Sequence, residues 1–162
     1  MSKARNIGVV AVAIAILLLA VALVSGRLAH SAPAQLAVSD AVIRLGVVPG
    51  RPAAGYFTLS GGAQPDRLLG VASSVARVEM HETIMANGRM RMAPMKMVDV
   101  PAGGRIAFAP GGKHLMIFGL PAGVTPGSEV RLVLTFEKAG AVPVTAIARS
   151  ATAPQDDPHA GH

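Results

Sequence analysis

The sequence predicts an all-β domain, either a sandwich or a Greek-key barrel, that follows an N-terminal apolar segment. Three observations favour this fold. Short apolar segments, several with alternating polar residues, recur from Gln35 to about Arg149. Clusters of Gly, Pro and Asn separate these segments at intervals of about ten residues. No stretch after residue 34 has a helical hydrophobic period.

The predicted strands follow one another in chain order, and turn signals separate them. Residues 49–52, Pro-Gly-Arg-Pro, end the first strand, and Gly61-Gly62 separates the second strand from the third. Asn87-Gly88 suits a tight turn, so the segments on either side are predicted to pair as a hairpin. The segments, eight or nine strands in all, are 36–44 as one strand or a bent pair, 54–59, 67–71, 78–85, 88–92, 106–108, 113–118, 130–137 and 142–149.

Residues 1–34 are predicted to be a signal peptide or a signal anchor. Lys3 and Arg5 precede an apolar run from Ile7 to Val24. That run is longer than the usual apolar region of a signal peptide and close to the lower limit of a membrane span, so both alternatives stay open. Each of them exports the rest of the chain, and the anchor would also hold it at the membrane. The sequence contains no cysteine for lipid attachment.

Composition argues against several classes of function. The formal net charge is +6, but three of the 15 Lys and Arg lie in the first 34 residues, which leaves 12 against 9 Asp and Glu. Those 12 are scattered singly, which is typical of a solvated surface and not of a nucleic-acid site. The absence of Cys excludes disulfides and the His/Cys/Met set of a blue-copper protein. No nucleophile–base pair or carboxylate dyad stands out, so the protein is not predicted to be an enzyme.

The remaining chain is predicted to form one domain, residues 35–150, followed by a disordered tail, residues 151–162. The tail lacks a large apolar residue but contains His159 and His162, with Asp156 and Asp157 nearby. One interpretation is a weak Cu(II) site, because imidazole and carboxylate ligands suit that ion. The other is a solubilising terminus without a metal.

The residues that indicate function are histidines and methionines in the second half of the chain. Seven of the eight methionines lie at or after Met80, together with His81 and His114. Thioether sulfur favours Cu(I), and imidazole also suits copper. Methionine is more often a filler of irregular core gaps, however, and packing or simple exposure explains Met85, Met95 and Met97.

His114 and Met116 are harder to explain by packing. Residues two apart on a strand share a face, so these two side chains point together while Leu115 and Ile117 form the predicted core pair. The second histidine and a further methionine on a separate hairpin favour a converging Cu(I) site.

The spacing of these four residues, His81-x10-Met92-x21-His114-x-Met116, resembles the copper-binding motif of the PCuAC-type periplasmic copper chaperones. The resemblance covers about residues 36–149. Other matching segments are Ala41-Val42-Ile43-Arg44, Pro49-Gly50, Ala53-Ala54-Gly55-Tyr56, His81-Glu82-Thr83, residues 101–104, residues 110–116 and Leu134-Thr135-Phe136-Glu137-Lys138.

The resemblance implies a cupredoxin-like β-sandwich in the periplasm that binds Cu(I) through His81, Met92, His114 and Met116. It also implies delivery of copper to the binuclear copper centre of cytochrome c oxidase, alongside Sco-type proteins. Met80 and Met90 lie close to the motif residues in sequence and are candidates to assist. Two alternatives stay open: periplasmic copper storage or detoxification, and an exported β-sandwich interaction domain whose methionines only pack.

Overall fold

Ten β-strands and no helix make up residues 35–48 and 50–152, the part of the chain that the computed structural model describes. Accordingly, no helix in that part is long and apolar enough to cross a membrane. The predicted targeting segment, 1–34, and the predicted tail beyond residue 152 lie outside the described residues. In chain order, β1 to β10 are Ala37–Arg44, Ala53–Ser60, Asp66–Ala72, Arg77–Ala86, Arg89–Pro94, Val98–Val100, Arg105–Phe108, Lys113–Phe118, Glu129–Phe136 and Gly140–Arg149.

The ten strands belong to one sheet with the order β5-β4-β8-β7-β2-β1-β10-β9-β3-β6. The pairings are antiparallel except for β1 with β10 and β7 with β8. Strand β3, ninth in this order, also contacts β4, which is second, so the sheet curls back on itself. The all-β prediction is confirmed, and the architecture is a curled, open sheet.

Strand β1, near the middle of the sheet order, is irregular. Strand β1 pairs with β2 on one side and with β10 on the other, and its register with β2 shifts between Ser39 and Val42. Asp40 lies in this shift with a positive φ of 56°. A bulge of this kind bends a strand and increases its twist. The first predicted segment, given as one strand or a bent pair, is thus a single bulged strand near the middle of the sheet order.

The core occupies the concave side of the sheet. Leu115 and Ile117 are fully buried, which confirms the predicted core pair. The rings of Phe57 and Phe108 stack with centroids 4.2 Å apart. Each fully buried side chain of this size contributes about 1.5–3 kcal/mol to folding. The core is completed mainly by Ile43, Leu59, Leu68, Met80, Val98, Val100, Val130, Leu132, Leu134 and Phe136.

The predicted segments agree with nine observed strands, and one strand escaped prediction. Strand β6 has only three residues, of which Val98 and Val100 are buried and Asp99 is exposed. It pairs with β3 at the edge of the sheet. Three residues are too few for an alternating pattern to stand out in the sequence.

Candidate metal centre

The four predicted ligands lie on three neighbouring strands at one end of the sheet order, β5, β4 and β8. His81 of β4 is directly opposite His114 of β8. Met116 is opposite Glu79, two residues before His81, and Met92 of β5 is opposite Thr83, two residues after it. Directly opposed residues share a face, as do residues two apart on a strand. The four side chains therefore start from one face of the sheet.

This face is the one opposite the core, because Leu115 and Ile117 alternate with His114 and Met116 on β8. Burial differs among the four. His114 is only 6% exposed, the His81 side chain is 13% exposed, Met116 is half-buried, and Met92 is 62% exposed. The sequence left His114 and Met116 either on the face opposite the core pair or at a rim, and they lie on that opposite face. The structure buries His114, while Met92 remains open to solvent.

A tight turn before β8 holds the His114 ring. The turn runs from Ala109 to Gly112, closed by a hydrogen bond from the Gly112 N–H to the Ala109 carbonyl (3.1 Å). Pro110 and Gly111 occupy its central positions, and Gly111 has the positive φ (80°) that a type II turn requires there. The Gly112 carbonyl then accepts a hydrogen bond from Nδ1–H of His114 (3.0 Å).

The His81 ring is held from its own strand. Its Nε2–H donates a hydrogen bond to Oε2 of Glu79, two residues earlier on the same face (3.1 Å). Arg77 in turn donates to the other oxygen of Glu79, and its guanidinium lies over the Phe118 ring, 4.1 Å from the centroid. Glu79 is thus held between His81 and Arg77.

These two contacts define which nitrogen of each ring is free. A carbonyl or an ionised carboxylate only accepts hydrogen bonds, so the ring nitrogen facing it must hold the proton. In the neutral rings this leaves lone pairs on Nδ1 of His81 and Nε2 of His114. Both atoms are buried and have no hydrogen-bond partner in the protein. A buried polar atom without a partner costs about 1–3 kcal/mol, which a bound ligand would offset.

The spacing of the rings is compatible with a shared metal ion. Their centroids are 6.1 Å apart and their planes are inclined by 37°. With a metal–nitrogen bond of about 2 Å, two imidazoles on one ion have centroids roughly 5 to 6.5 Å apart, from tetrahedral to linear coordination. In the ranges that the structure describes, no three His, Asp or Glu side chains form a metal-binding cluster. By the strand register, the thioethers of Met116 and Met92 and the carboxylate of Glu79 start from the same face as the two rings.

The other methionines fall into two groups. Met80 is buried in the core on the opposite face of β4, so the expectation that it assists the site is wrong. Met95 also packs partly against the core. Met85, Met90 and Met97 are exposed, and of these Met85 and Met90 lie on the face that includes His81.

The glutamate that contacts the His81 ring is not the one next to it in the chain. Glu82 follows His81 in the chain and therefore faces the other way, where its carboxylate binds Nζ of Lys113 (2.6 Å). The residue that contacts the ring is Glu79. A signal for it was available, because residues two apart on a predicted strand share a face. The Gly112 carbonyl has no comparable sequence signal, since any residue would provide one.

Comparison with known proteins identifies relatives of the chain. A family model described as "Putative lipoprotein LpqE-like" matches residues 36–148. A curated relative, "Putative lipoprotein Lxx21020" of Leifsonia xyli subsp. xyli (strain CTCB07), is 35% identical over 79 residues. That match covers 48% of this chain and 48% of the relative, so the chain spans about half the length of the curated relative it matches.

Solved structures of PCuAC domains share the fold. The Cu(I) form of DR1885 from Deinococcus radiodurans is 25% identical, with a TM-score of 0.58 over 77% of this chain and 85% of that one. The copper-bound PCuAC domain of PmoF2 is 24% identical, with a TM-score of 0.58 over 73% of this chain and 97% of that domain. The second likeness concerns the fold alone.

Proposed function

The chain belongs to the LpqE-like family, a PCuAC-type family, and on that premise we propose that it is an exported copper chaperone that binds Cu(I) through His81, Met92, His114 and Met116. The protein is a carrier and not a catalyst in this proposal. Its fold is then the cupredoxin-like Greek-key arrangement that the resemblance implies, built from the curled sheet.

One observation carries the proposal. Two imidazole nitrogens are buried without a partner on the face that also includes Met116 and Met92, and the second nitrogen of each ring is held by an acceptor. Fixing one ring nitrogen in this way sets the tautomer and orientation of a metal-binding histidine. Two imidazoles and two thioethers suit Cu(I), which prefers soft ligands.

The graded burial of the four residues fits a protein that releases its metal. The two histidines and Met116 are buried or half-buried, whereas Met92 is exposed. A neutral thioether on a flexible side chain is a ligand that an incoming group can replace. An acceptor would therefore displace Met92 first and the histidines afterwards.

The direct test is an anaerobic titration of the purified protein with Cu(I) in competition with a chromophoric chelator. We expect one Cu(I) per chain, and X-ray absorption should show both nitrogen and sulfur neighbours. The double variant His81→Ala/His114→Ala should lose this mixed site, whereas Met97→Leu, a change at an exposed methionine elsewhere, should not alter it. Failure of the unmodified protein to compete for Cu(I) would refute the proposal.

We further propose that the copper is delivered to the binuclear copper centre of cytochrome c oxidase, together with Sco-type proteins. The support is the motif resemblance described above. Mixing the Cu(I)-loaded protein with the apo form of the oxidase copper domain, with and without a Sco-type protein, tests this proposal. Delivery predicts loss of copper from the chaperone and formation of the binuclear centre after oxidation. Storage or detoxification predicts that the copper stays where it is.

The location proposed for the protein is the periplasm, either free or anchored by residues 1–34. The lipoprotein description of the family supports export. Fractionation of cells that produce the full chain, followed by mass measurement of the purified product, separates the two forms. A soluble product that lacks the apolar segment indicates cleavage, and a membrane-bound product of full mass indicates an anchor.

A further inference from the structure

The β4–β5 hairpin has three exposed methionines that the proposed copper site does not fully explain. Met85 is 72% exposed, Met90 is 67% exposed and Met92 is 62% exposed. Only Met92 belongs to the four-residue motif. At this exposure, packing does not account for the choice of methionine at Met85 and Met90, because neither side chain fills a gap in the core.

The three side chains are grouped by the register of the hairpin. Met85 and Met90 are directly opposed across the two strands, and Met92 is two residues further along β5. All three therefore share one face with His81, whereas Arg89 and Arg91 alternate to the other face of β5. Opposed Cβ atoms are about 4.5–5.5 Å apart, and diagonal neighbours are still within reach of long side chains.

The turn fixes this grouping. Asn87 and Gly88 have positive φ angles of 51° and 71°, the pair of values found in a type I′ hairpin turn. Beyond His81, strand β4 passes the first residues of β8, since His81 pairs with His114 and Glu82 with Lys113. The methionines near the tip therefore extend past the end of β8, and solvent reaches them before it reaches His114.

We propose that Met85, Met90 and Met92 form an entry site that captures Cu(I) and passes it to the buried histidines. The inference rests on the proposed function, because it concerns how the same site is loaded. Three thioethers are soft ligands of the kind that favours Cu(I) over harder cations. Met92 is common to both sites and remains bound while the other ligands are exchanged.

The transfer is a ligand exchange without a redox step. Bonds from Cu(I) to the sulfurs of Met85 and Met90 break as bonds to Nδ1 of His81, Nε2 of His114 and the sulfur of Met116 form. The copper remains Cu(I) throughout, so neither an oxidant nor a reductant is required. The direction follows from preorganisation, because hydrogen bonds to Glu79 and Gly112 already hold the two rings, whereas the exposed methionines must be ordered on binding.

The kinetic test uses the full chain and stopped-flow transfer of Cu(I) from its bicinchoninate complex under anaerobic conditions. The variant Met85→Leu/Met90→Leu keeps an apolar surface of similar volume but removes both sulfurs. We expect it to take up copper about tenfold more slowly, a size of effect common among mutants of one binding surface. Its equilibrium Cu(I) affinity should match that of the unmodified protein, and Met97→Leu should load at the normal rate.

A second measurement looks at the entry site alone. In the variant His81→Ala/His114→Ala, we expect weak Cu(I) binding with only sulfur neighbours in X-ray absorption. Adding Met85→Leu and Met90→Leu to that variant should abolish it. Normal loading by the leucine variant would overturn the entry site and would indicate a plain apolar docking surface. Absence of Cu(I) binding by the unmodified protein would instead overturn the proposed function, so the two failures are distinguishable.

Discussion

At the scale of single residues, each of the two histidines of the candidate site forms a hydrogen bond within the protein through one ring nitrogen. Glu79 holds His81, and the Gly112 carbonyl holds His114. The proposed copper affinity therefore depends on groups that do not bind the metal themselves. Each such group orients a ring and selects the tautomer whose free nitrogen is available.

Replacement of Met116 by alanine should weaken Cu(I) binding far more than replacement of Met97. Met116 lies beside His114 on one face of β8, whereas Met97 is exposed between β5 and β6. We expect a loss of at least about a hundredfold in Cu(I) affinity for Met116→Ala and little change for Met97→Ala. Chelator competition measures both variants.

The same pair of variants separates ligation from packing. Both should unfold at close to the normal denaturant concentration, because neither side chain belongs to the buried core. Destabilisation of Met116→Ala by the 2–5 kcal/mol that is typical of a large-to-small core change would mean that Met116 packs and is not a ligand.

Glu79 should influence copper binding without touching the metal. We expect Glu79→Ala to lower the Cu(I) affinity by about 10 to 100 times, the usual effect of losing the partner of a metal-binding histidine. Glu79→Gln should recover part of the loss, because its side-chain carbonyl still accepts from the His81 ring. Chelator competition gives the affinity, and X-ray absorption should show the same neighbours in all variants.

Glu82→Ala is the matched control for that prediction. Glu82 is also half-buried on β4, but it binds Lys113 on the other face. If Glu82→Ala weakened copper binding as much as Glu79→Ala does, the effect would come from net charge near the site and not from orientation of the ring.

At the scale of elements, the β4–β5 hairpin controls which methionines face the histidines. The type I′ turn at Asn87-Gly88 sets a register in which Met92 is opposite Thr83. A slip of one residue would move every side chain of β5 to the other face and would replace Met90 and Met92 with Arg89 and Arg91. The turn residues are thus as important to the candidate site as the proposed ligands.

A second element contact joins the start of β3 to the turn between β9 and β10. Oδ1 of Asp66 accepts from the N–H groups of Arg67 (2.7 Å) and Lys138 (2.9 Å), and Oδ2 accepts from the N–H of Ala139 (2.9 Å). Desolvation alone would raise the pKa of the Asp66 carboxyl. The three N–H donors and the Lys138 ammonium together outweigh it, so the pKa is lowered from 3.8.

Asp66→Asn should therefore destabilise the fold at neutral pH and lose this effect in acid. A lowered carboxyl pKa contributes stability above the unfolded value of 3.8, and that contribution disappears as the pH falls through the folded value. We expect a deficit of about 0.5 to 1 kcal/mol at pH 7, because the group is largely solvated. Urea unfolding at several pH values measures it.

Asp99→Asn provides the control for Asp66. Asp99 forms an exposed ion pair with Arg67 (2.8 Å), and its side chain is 81% exposed. Such pairs contribute little to stability. A deficit for Asp66→Asn that persisted unchanged at pH 2 would show that its cause is geometric and not the ionised carboxylate.

At the scale of the whole molecule, the sequence was sufficient to predict most of the strands and the face of β8 on which the candidate site lies. Strand β8 was predicted with its observed bounds, and its alternation placed His114 opposite to the core pair. The Asn-Gly turn predicted the hairpin that includes Met92. These features depend on neighbours in the chain, which is why local patterns indicate them.

Features that depend on distant residues were not predictable in this way. His114 is buried although it lies on the face opposite the core pair, and the alternation along β8 does not indicate that burial. Because Met80 and His81 are adjacent on β4, strand alternation places Met80 on the face opposite the candidate site. The prediction that Met80 assists relied only on its closeness to His81 in the chain. Strand β6 forms by pairing with the edge of β3, and the sequence of three residues does not indicate that pairing.

The C-terminal tail is a separate prediction for the whole chain. Its two histidines, His159 and His162, and two aspartates lie outside the described residues. If they bind copper, the ion should be Cu(II), because imidazole and carboxylate are not soft ligands. Deletion of residues 155–162 should then abolish a Cu(II) signal in electron paramagnetic resonance and leave the Cu(I) stoichiometry unchanged. An unchanged Cu(II) spectrum would show that the tail is not a metal site.

Copper should stabilise the entire fold if the site is formed in the native state and absent from the unfolded chain. A ligand that binds only the native state adds about 2.7 kcal/mol to the unfolding free energy when its free concentration is a hundred times its Kd. Anaerobic urea unfolding with buffered Cu(I) measures this gain, and a stronger Cu(I) chelator should reverse it.

Two variants show whether that gain comes from the proposed site. His81→Ala/His114→Ala should lose most of the copper-dependent gain, because the two buried nitrogens are missing. Leu115→Ala should be less stable by about 2–5 kcal/mol, as for other buried leucines, yet it should gain as much from copper as the unmodified protein does. Leu115 and His114 lie on opposite faces of β8, so their contributions to stability should be independent. If the histidine variant retained the full gain instead, copper would be bound elsewhere in the chain.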